Sequence, residues 1–594
     1  MIRRGRGRQV HGKKLSYTRV FAKGRKPCAV AFPESRQIAS PSPIATGEKY
    51  ALAYLMLFNS YEFIFVFLPV VLLGYLFLVR SGHRAVISWL SIASIAFYGY
   101  WKPAFLLVLA ASIIMNYLCS RLIIKVGTES RFKGLVLIAG VSANLLLLGY
   151  YKYFFPFLSF LTKLGVFHHQ WQHVLLPLGI SFFTFTQIGY LIDLAQGEAM
   201  PQPLINYILF VTFFPHLIAG PIFHHSEVMP QFAENRRRIN MMDMTIGATW
   251  FIMGLFKKVA IADVMANTAD PAFAHPGALT LFAAWQGVLC YAVQLYFDFS
   301  GYSDMAIGLA RMFSIDFPFN FDSPYKSRNI TAYWQRWHMT LTRYLNLYLY
   351  NPIALSVSRR RVASGKKVSR KAAATLEGFA NMIAFPTMTT MILAGIWHGA
   401  GFQFLILGLL HGTYLTIHQA WLTIRQKHVP AGGTKHTPAP LAVVASVLLT
   451  FLCVILGQVF FRSANVHNAL LLLASMAGAH GISVSPPILH LLGPFGGRGL
   501  RSGFLSVATW SRPDERTALE LTAALIVIWA FPNTQQILGR YARRDTTTDI
   551  AAESKPTTLW NWQPSLFWAA SFSVVLLLCL LLMQNPSRFL YFQF

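Results

Sequence analysis

The sequence predicts an all-α, polytopic integral membrane protein with roughly eleven to thirteen membrane helices and some re-entrant segments. Three observations predict it. Of 594 residues, 55% are hydrophobic and only 12% are charged, about half the charged fraction of an ordinary soluble domain. Apolar stretches long enough to cross a bilayer recur from Phe63 to Leu582, which makes the whole body membrane-embedded rather than tethered. The net charge of +29 is dispersed in short basic clusters between those stretches, such as Arg236-Arg237-Arg238, Lys257-Lys258 and Arg359-Arg360-Arg361. That is how the cytoplasmic loops of membrane proteins distribute Lys and Arg. No compact basic domain is present to bind nucleic acid.

Lipid offers the backbone no hydrogen-bond partner, so the spans are helices. The expected helices lie near 63–79, 85–100, 104–124, 134–150, 174–193, 204–222, 245–264 and 280–297. Others follow near 303–313, 377–396, 402–422, 441–461, 465–479, 518–531 and 566–583. The run at 303–313 is too short to cross and reads as re-entrant or buried. Residues 425–440 and 484–516, rich in Gly, Pro and Ser, read as loops. The five cysteines (Cys28, Cys119, Cys290, Cys453 and Cys579) lie mostly inside apolar runs and show no pairing pattern. They read as small packing residues rather than a disulfide framework.

Two segments divide the chain. Residues 56–594 form the membrane domain. Residues 1–55 hold twelve Lys and Arg against two Glu and no apolar core of a signal peptide. The loops carrying Arg80, His83 and Arg84, and Lys125, Arg131 and Lys133, are richer in positive charge than the connection at Trp101-Lys102-Pro103. Both are expected in the cytoplasm, so the start of the first span faces outside. A basic arm there opposes that orientation. Residues 1–55 are therefore expected to be disordered or spurious, with translation starting at Met56.

Residues 298–352 depart from membrane composition. Asp298, Asp304, Arg311, Asp316, Asp322, Arg336, His338 and Arg343 are interleaved with aromatics. Charges at membrane depth line water-filled cavities or pair inside the protein; a connector lying on the membrane surface is the plainer alternative. Several chemistries are missing: the sequence has no G-x-S-x-G elbow, no H-E-x-x-H helix, no Walker A loop and no paired C-x-x-C. The run His168-His169-Gln170-Trp171-Gln172-His173 lacks carboxylate or Cys partners, and no metal centre is expected. Two histidine segments remain. Gly395-Ile396-Trp397-His398-Gly399 closes a charge-free apolar run, with glycines that let backbone or ligand approach. Imidazole suits base catalysis near neutral pH, although a buried histidine also serves simply by bonding a carbonyl. Trp334-Gln335-Arg336-Trp337-His338 reads either as a second site element or as interfacial anchoring. His216, His224-His225 and His411 read as polar neighbours of a cavity.

These segments bring a family into view. The chain resembles the membrane-bound O-acyltransferases, in the branch of alginate O-acetyltransferase membrane subunits. The resemblance covers about residues 56–594 and rests on motifs in order: Leu176 to Phe185, Phe214 to Ile222, Gly254 to Val259, Tyr296 to Gly308, Trp334 to His338 and Gly395 to Gly399. The aromatic end Phe589 to Phe594 is also similar. The resemblance implies a helical body with a passage through the membrane, and acyl transfer from a cytoplasmic thioester to a hydroxyl. His398 matches the family's essential histidine and His338 the branch's second one. Asp298, Ser300, Asp304, Trp334, Arg336, Trp337 and Trp397 are the expected lining or supporting residues. No cofactor is expected to be bound. Acetyl-CoA is the implied donor, with a carrier-protein thioester used in the D-alanyl branch. The implied partners are membrane lipid and periplasmic polysaccharide acetyltransferases, and the implied location is the bacterial inner membrane. The branch's Arg-Asp before Tyr-Leu-Tyr is replaced here by Asn346-Leu347, which leaves the acceptor glycan open. A D-alanyl-type transferase, a transporter and a non-catalytic secretion scaffold are the competing readings.

Overall fold

The structure, a computed structural model, describes residues 56–126, 130–169, 174–233, 240–428, 439–483, 505–506, 515–541, 560–583 and 589–590. The expectations for residues 1–55, for Gln170 to His173 and for Tyr591 to Phe594 fall outside them. The described chain is helical. Its one strand pairing is a two-residue parallel bridge, Ile482–Ser483 with Leu505–Ser506. Eight helices that build or brace the site are labelled in chain order: α1 (Arg131–Gly149), α2 (Ile180–Gln196), α3 (Met241–Phe256), α4 (Leu281–Met312), α5 (Met339–Leu345), α6 (Phe385–His398), α7 (Phe402–His428) and α8 (Pro440–Arg462).

Among the described residues, five stretches are long and apolar enough to cross a membrane: Ala104–Lys125, Arg131–Lys163, Met241–Ala274, Leu376–His398 and Pro440–Arg462. Shorter apolar helices lie at Phe63–Leu78, Val466–Met476 and Leu566–Leu582. Three of the five are composite. A π-helical turn at Tyr150–Phe154 continues α1 towards Lys163, and another at Lys257–Ala262 joins α3 to the helix Asp263–Ala274. A third, at Ala380–Ala384, leads into α6 within Leu376–His398. Such π-turns mark functional positions in many helices, and the first two carry a lysine used below. The helix expected at 204–222 breaks early, ending at Thr212 and resuming at Phe214–Leu217 around Pro215. Proline cannot donate in the ladder, and the Phe214 N–H instead bonds Ser94 Oγ at 3.1 Å.

The separate, re-entrant run expected at 303–313 is not separate. It belongs to α4, 32 uninterrupted residues, about 48 Å at 1.5 Å per residue. Asp298, Asp304 and Arg311 gave the run its apparent interruption, but every residue from Cys290 to Met312 is buried. Protein rather than lipid surrounds this helix, so its charges find partners.

Glycines set how closely α3 approaches α4. A Cβ on Gly247 would stand 2.5 Å from the Gly308 carbonyl, and one on Gly254 would stand 2.5 Å from that of Gly301. The reverse contacts are 2.5 and 2.7 Å. Each helix repeats its glycine after seven residues, two helical turns, so the antiparallel pair meets backbone to backbone twice. Gly308→Val is expected to cost more than the ~1–3 kcal/mol of ordinary overpacking, because the opposing atom is a carbonyl that cannot rotate away. Loss of the protein from the membrane fraction, or a sharply lowered melting temperature in detergent, is the expected reading. An unchanged melt contradicts the packing account.

Candidate active site

His398 is the last residue of α6, with Gly399 extending the chain beyond it. The two glycines around it admit the neighbouring helix rather than a ligand. A Cβ on Gly395 would lie 2.3 Å from the Phe404 carbonyl, and one on Gly399 would lie 2.1 Å from the Phe404 ring. The imidazole stands edge-to-face against Trp397 (4.9 Å between centroids) and Phe461 (5.1 Å) and remains partly accessible. Among the described residues no group hydrogen-bonds its ring nitrogens. The last carbonyls of α6, which no helical N–H can reach, are capped from the π-turn after α1. Lys152 Nζ donates to the Trp397 carbonyl at 2.5 Å, and Tyr153 Oη donates to that of Ile396 at 2.8 Å. A cation at a helix C-terminus also complements the helix dipole.

His338 is held differently. It is buried, in the left-handed backbone region (φ 42°), and stands at the N-cap position of α5 without a side-chain capping bond. Its Nδ1 lies 2.9 Å from Asn320 Oδ1. That oxygen also accepts from the Thr340 hydroxyl (2.9 Å) and faces the Thr340 N–H, while Asn320 Nδ2 donates to Ser303 Oγ. The amide orientation is thus assigned by three neighbours. An amide oxygen only accepts, so Nδ1 carries the proton of neutral His338 and Nε2 carries the lone pair. Phe299 of α4 stands edge-on to the ring at 4.8 Å. The two histidines, 60 residues apart in sequence, are brought within electrostatic reach of each other, together with Lys152 and His411.

Trp334 joins this group through His411 of α7, donating from Nε1 to its Nδ1 at 3.3 Å. Its other side faces a cavity of about 350 Å³. One wall of this cavity is the His338 segment (Trp334, Gln335, Thr342), and the opposite wall is α6 (Thr387, Thr390, Met391). Thr342 Oγ1 and Thr390 Oγ1 are buried and make no hydrogen bond among the described residues, so both can donate to and accept from a polar group. Thr390 is eight residues before His398, about 12 Å along the helix. Neither histidine lines the cavity itself.

Several expected site residues lie elsewhere. Asp298 pairs with Lys258 of the second π-turn (2.6 Å), which also pairs with Asp263 (2.8 Å). Its other oxygen accepts the Leu590 N–H at 2.9 Å, while Lys258 sits over the Phe589 ring at 4.7 Å. This is a structural knot that also holds the far end of the described chain. Asp304 bonds Lys257 (2.6 Å) and Thr534 (2.7 Å), so it does not orient His398. Trp337 is stacked among Tyr333, Tyr325 and Phe321 as core, not cavity wall and not an interfacial anchor. Arg336 is half-buried and near enough to Lys326 to repel its charge. Lys326 lies in the connector outside the long apolar helices. Burial lowers its pKa below the usual value, opposed by Asp322 and reinforced by Arg336. Ser300 is buried one residue beyond Phe299, and its Oγ makes no hydrogen bond among the described residues. His216 bonds the Phe210 carbonyl at 3.1 Å and packs on Phe223, as a core histidine rather than a cavity neighbour. Trp397 remains at the site, stacked on Phe185 at 5.2 Å. A further cluster, Asp193 with His224 and His225, brings its donor atoms within 4.8 Å of one another.

Sequence reasoning missed Asn320 and Lys152. Lys152 left a trace, a cation at the end of an apolar run. Asn320 left none, because its role depends on a fold that returns residue 320 to residue 338. Asn320→Ala is expected to lower kcat by up to about 10²-fold with little change in KM, since it misplaces a histidine without removing it. An equal fall in binding and turnover would assign Asn320 to substrate contact instead.

The family model for membrane-bound O-acyltransferases matches residues 161–368, a span that includes His338. The peptidoglycan O-acetyltransferase of Helicobacter pylori is 39% identical over 459 residues, covering 73% of this chain and 81% of that protein. The Pseudomonas aeruginosa protein named "Probable alginate O-acetylase AlgI" is 39% identical over 419 residues, covering 70% and 73%. A teichoic acid D-alanyltransferase of Streptococcus thermophilus is 27% identical over 301 residues, covering 49% and 69%. The helical membrane body and these matches define the class: an acyltransferase embedded in a membrane. The chain belongs to the membrane-bound O-acyltransferase family.

Proposed function

We propose that the protein takes acetyl from cytoplasmic acetyl-CoA and delivers it through the bacterial inner membrane for O-acetylation of a glycan outside the cytoplasm. A separate periplasmic acetyltransferase receives it or places it on the polymer. The observation that carries this reading is the convergence of His398 and His338 beside a cavity walled by both of their segments. His398 Nδ1 or Nε2 removes the proton of an acceptor hydroxyl as its oxygen attacks the thioester carbonyl. The new C–O bond forms, the C–S bond breaks, and the proton passes to the departing thiolate. General-base help of this kind contributes ~10²–10⁴-fold. His338, its tautomer set by Asn320, positions the acceptor or the donor carbonyl. Relatives named for alginate and for peptidoglycan support a polysaccharide acceptor. The D-alanyl relative supports a second reading with a carrier-protein thioester.

Proteoliposomes holding the purified protein separate these readings. Labelled acetyl-CoA and an acetyl-loaded carrier protein are offered outside in turn, and hydrolysis to free CoA or carrier is followed with and without an acceptor sugar. Turnover of acetyl-CoA is expected. Turnover of the carrier thioester alone moves the protein to the second reading, and inertness towards both sinks the enzyme–donor assignment. Base-labile acetate, measured separately in secreted polysaccharide and in sacculi from deletion strains, identifies the polymer.

A further inference from the structure

Away from the two histidine segments, Asp193 in the last turn of α2 meets the pair His224-His225, which enters the helix His225–Ala233. Asp193 Oδ2 stands 2.8 Å from His224 Nε2, 2.9 Å from His225 Nε2 and 2.5 Å from the Tyr348 hydroxyl. Tyr348 takes one lone pair as a hydrogen-bond donor. His225 does not take another. Its ring is buried, with 6% exposure, and its Nε2, 2.9 Å from the oxygen, makes no in-line hydrogen bond among the described residues. Three donor atoms gathered within 4.8 Å of one another, one of them a buried imidazole nitrogen without an in-line hydrogen bond, are close enough to share one ion. Imidazole and carboxylate are zinc's ordinary donors.

The surroundings fit as well. His224 Nδ1 lies 2.6 Å from Ser226 Oγ, and the His224 N–H bonds Glu227, which is held bidentately by Arg343. Outer partners of this kind fix the rings of metal-bound histidines. Beside the cluster lies a space of about 20 Å³ bounded by His224, His225, Arg343 and Tyr348, enough for one water molecule. We infer that Asp193, His224 and His225 bind one first-row divalent cation of the zinc type, with water completing the coordination. The ion would fasten the end of α2 to the turn carrying Tyr348. That turn leads back to the site through stacked rings: Tyr348 on Tyr344 (4.6 Å), Tyr344 on Phe185 (4.7 Å) and Phe185 on Trp397 (5.2 Å). The ion positions; it takes no part in the acyl transfer proposed above.

The test needs no assay of turnover. Full-length protein in detergent is stripped with chelator, equilibrated with Zn²⁺, freed of excess ion and analysed by mass spectrometry for metal. About one zinc per chain is expected, with His225→Gln falling to the background of a buffer blank. Zinc is also expected to raise the melting temperature of the stripped wild type and leave that of His225→Gln unmoved. Co²⁺ loaded into the stripped wild type is expected to give visible ligand-field bands, a readout that stands even if the variant fails to fold. Wild-type protein that retains no zinc and gives no Co²⁺ bands overturns the inference, leaving a proton-sharing Asp–His–Tyr cluster only. Zinc retained equally by His225→Gln overturns the assignment of the ligands.

Discussion

His398→Ala is expected to reduce acetyl transfer by ~10²–10⁴-fold, the range that general-base catalysis supplies, while the protein still inserts and folds. The side chain makes ring contacts only with Trp397 and Phe461 and holds no hydrogen bond among the described residues, so its removal leaves no buried donor or acceptor stranded. Ester-linked acetate in the polymer, normalised to protein in the membrane fraction, is the measurement. Retention of more than about a tenth of activity is incompatible with a base of that strength. His338→Ala carries a different expectation, because it also strips Asn320 of a donor and empties a buried ring site packed against Phe299. Its loss of activity should come with a lower melting temperature.

The second large effect concerns stability. Lys258→Met removes the cation from between Asp298 and Asp263 and leaves a buried carboxylate with one backbone partner. Breaking a buried pair from one side typically costs ~3–5 kcal/mol, whereas replacing both partners with well-packed apolar groups is often near neutral. Lys258→Met is therefore expected to melt far below the wild type, and the double variant Lys258→Met/Asp298→Leu to recover much of the loss. A double variant that folds yet transfers no acetyl would return Asp298 to the reaction. Recovery of both stability and activity confirms its structural role.

The contrast between Asp298 and His398 shows where sequence reasoning reaches and where it stops. Helical character and membrane depth follow from composition, because a charge-poor chain in lipid has one way to satisfy its backbone. The histidine segments stand out because imidazole and guanidinium are rare in apolar runs. A charge in such a run announces that it has a partner, but not whether that partner is a substrate or another side chain. Asp298 and Asp304 found lysines in a π-turn some forty residues earlier, a pairing set by the glycine contacts of α3 with α4. Helix boundaries were misplaced for a related reason. Charges inside α4 looked like a boundary, while π-turns carry α1 and α3 on to Lys163 and Ala274, past the ends that composition gave them. His224-His225 read only as a cavity neighbour and Asp193 was not singled out, since nothing in local spacing brings residue 193 to residue 225.

The knot at Asp298 also sets a timetable. Its oxygen receives the backbone N–H of a residue 292 positions later, and at roughly 5–20 residues per second a ribosome needs on the order of 15–60 s to make that stretch. Throughout that interval the middle helix carries an anion whose seat is unfinished, and the nascent protein stays open to surveillance proteases. Closing the seat with Phe589 and Leu590 turns a late stage of synthesis into an inspection step. A product cut short before Phe589 would be recognised by the wet charge at its centre rather than by any missing catalytic group.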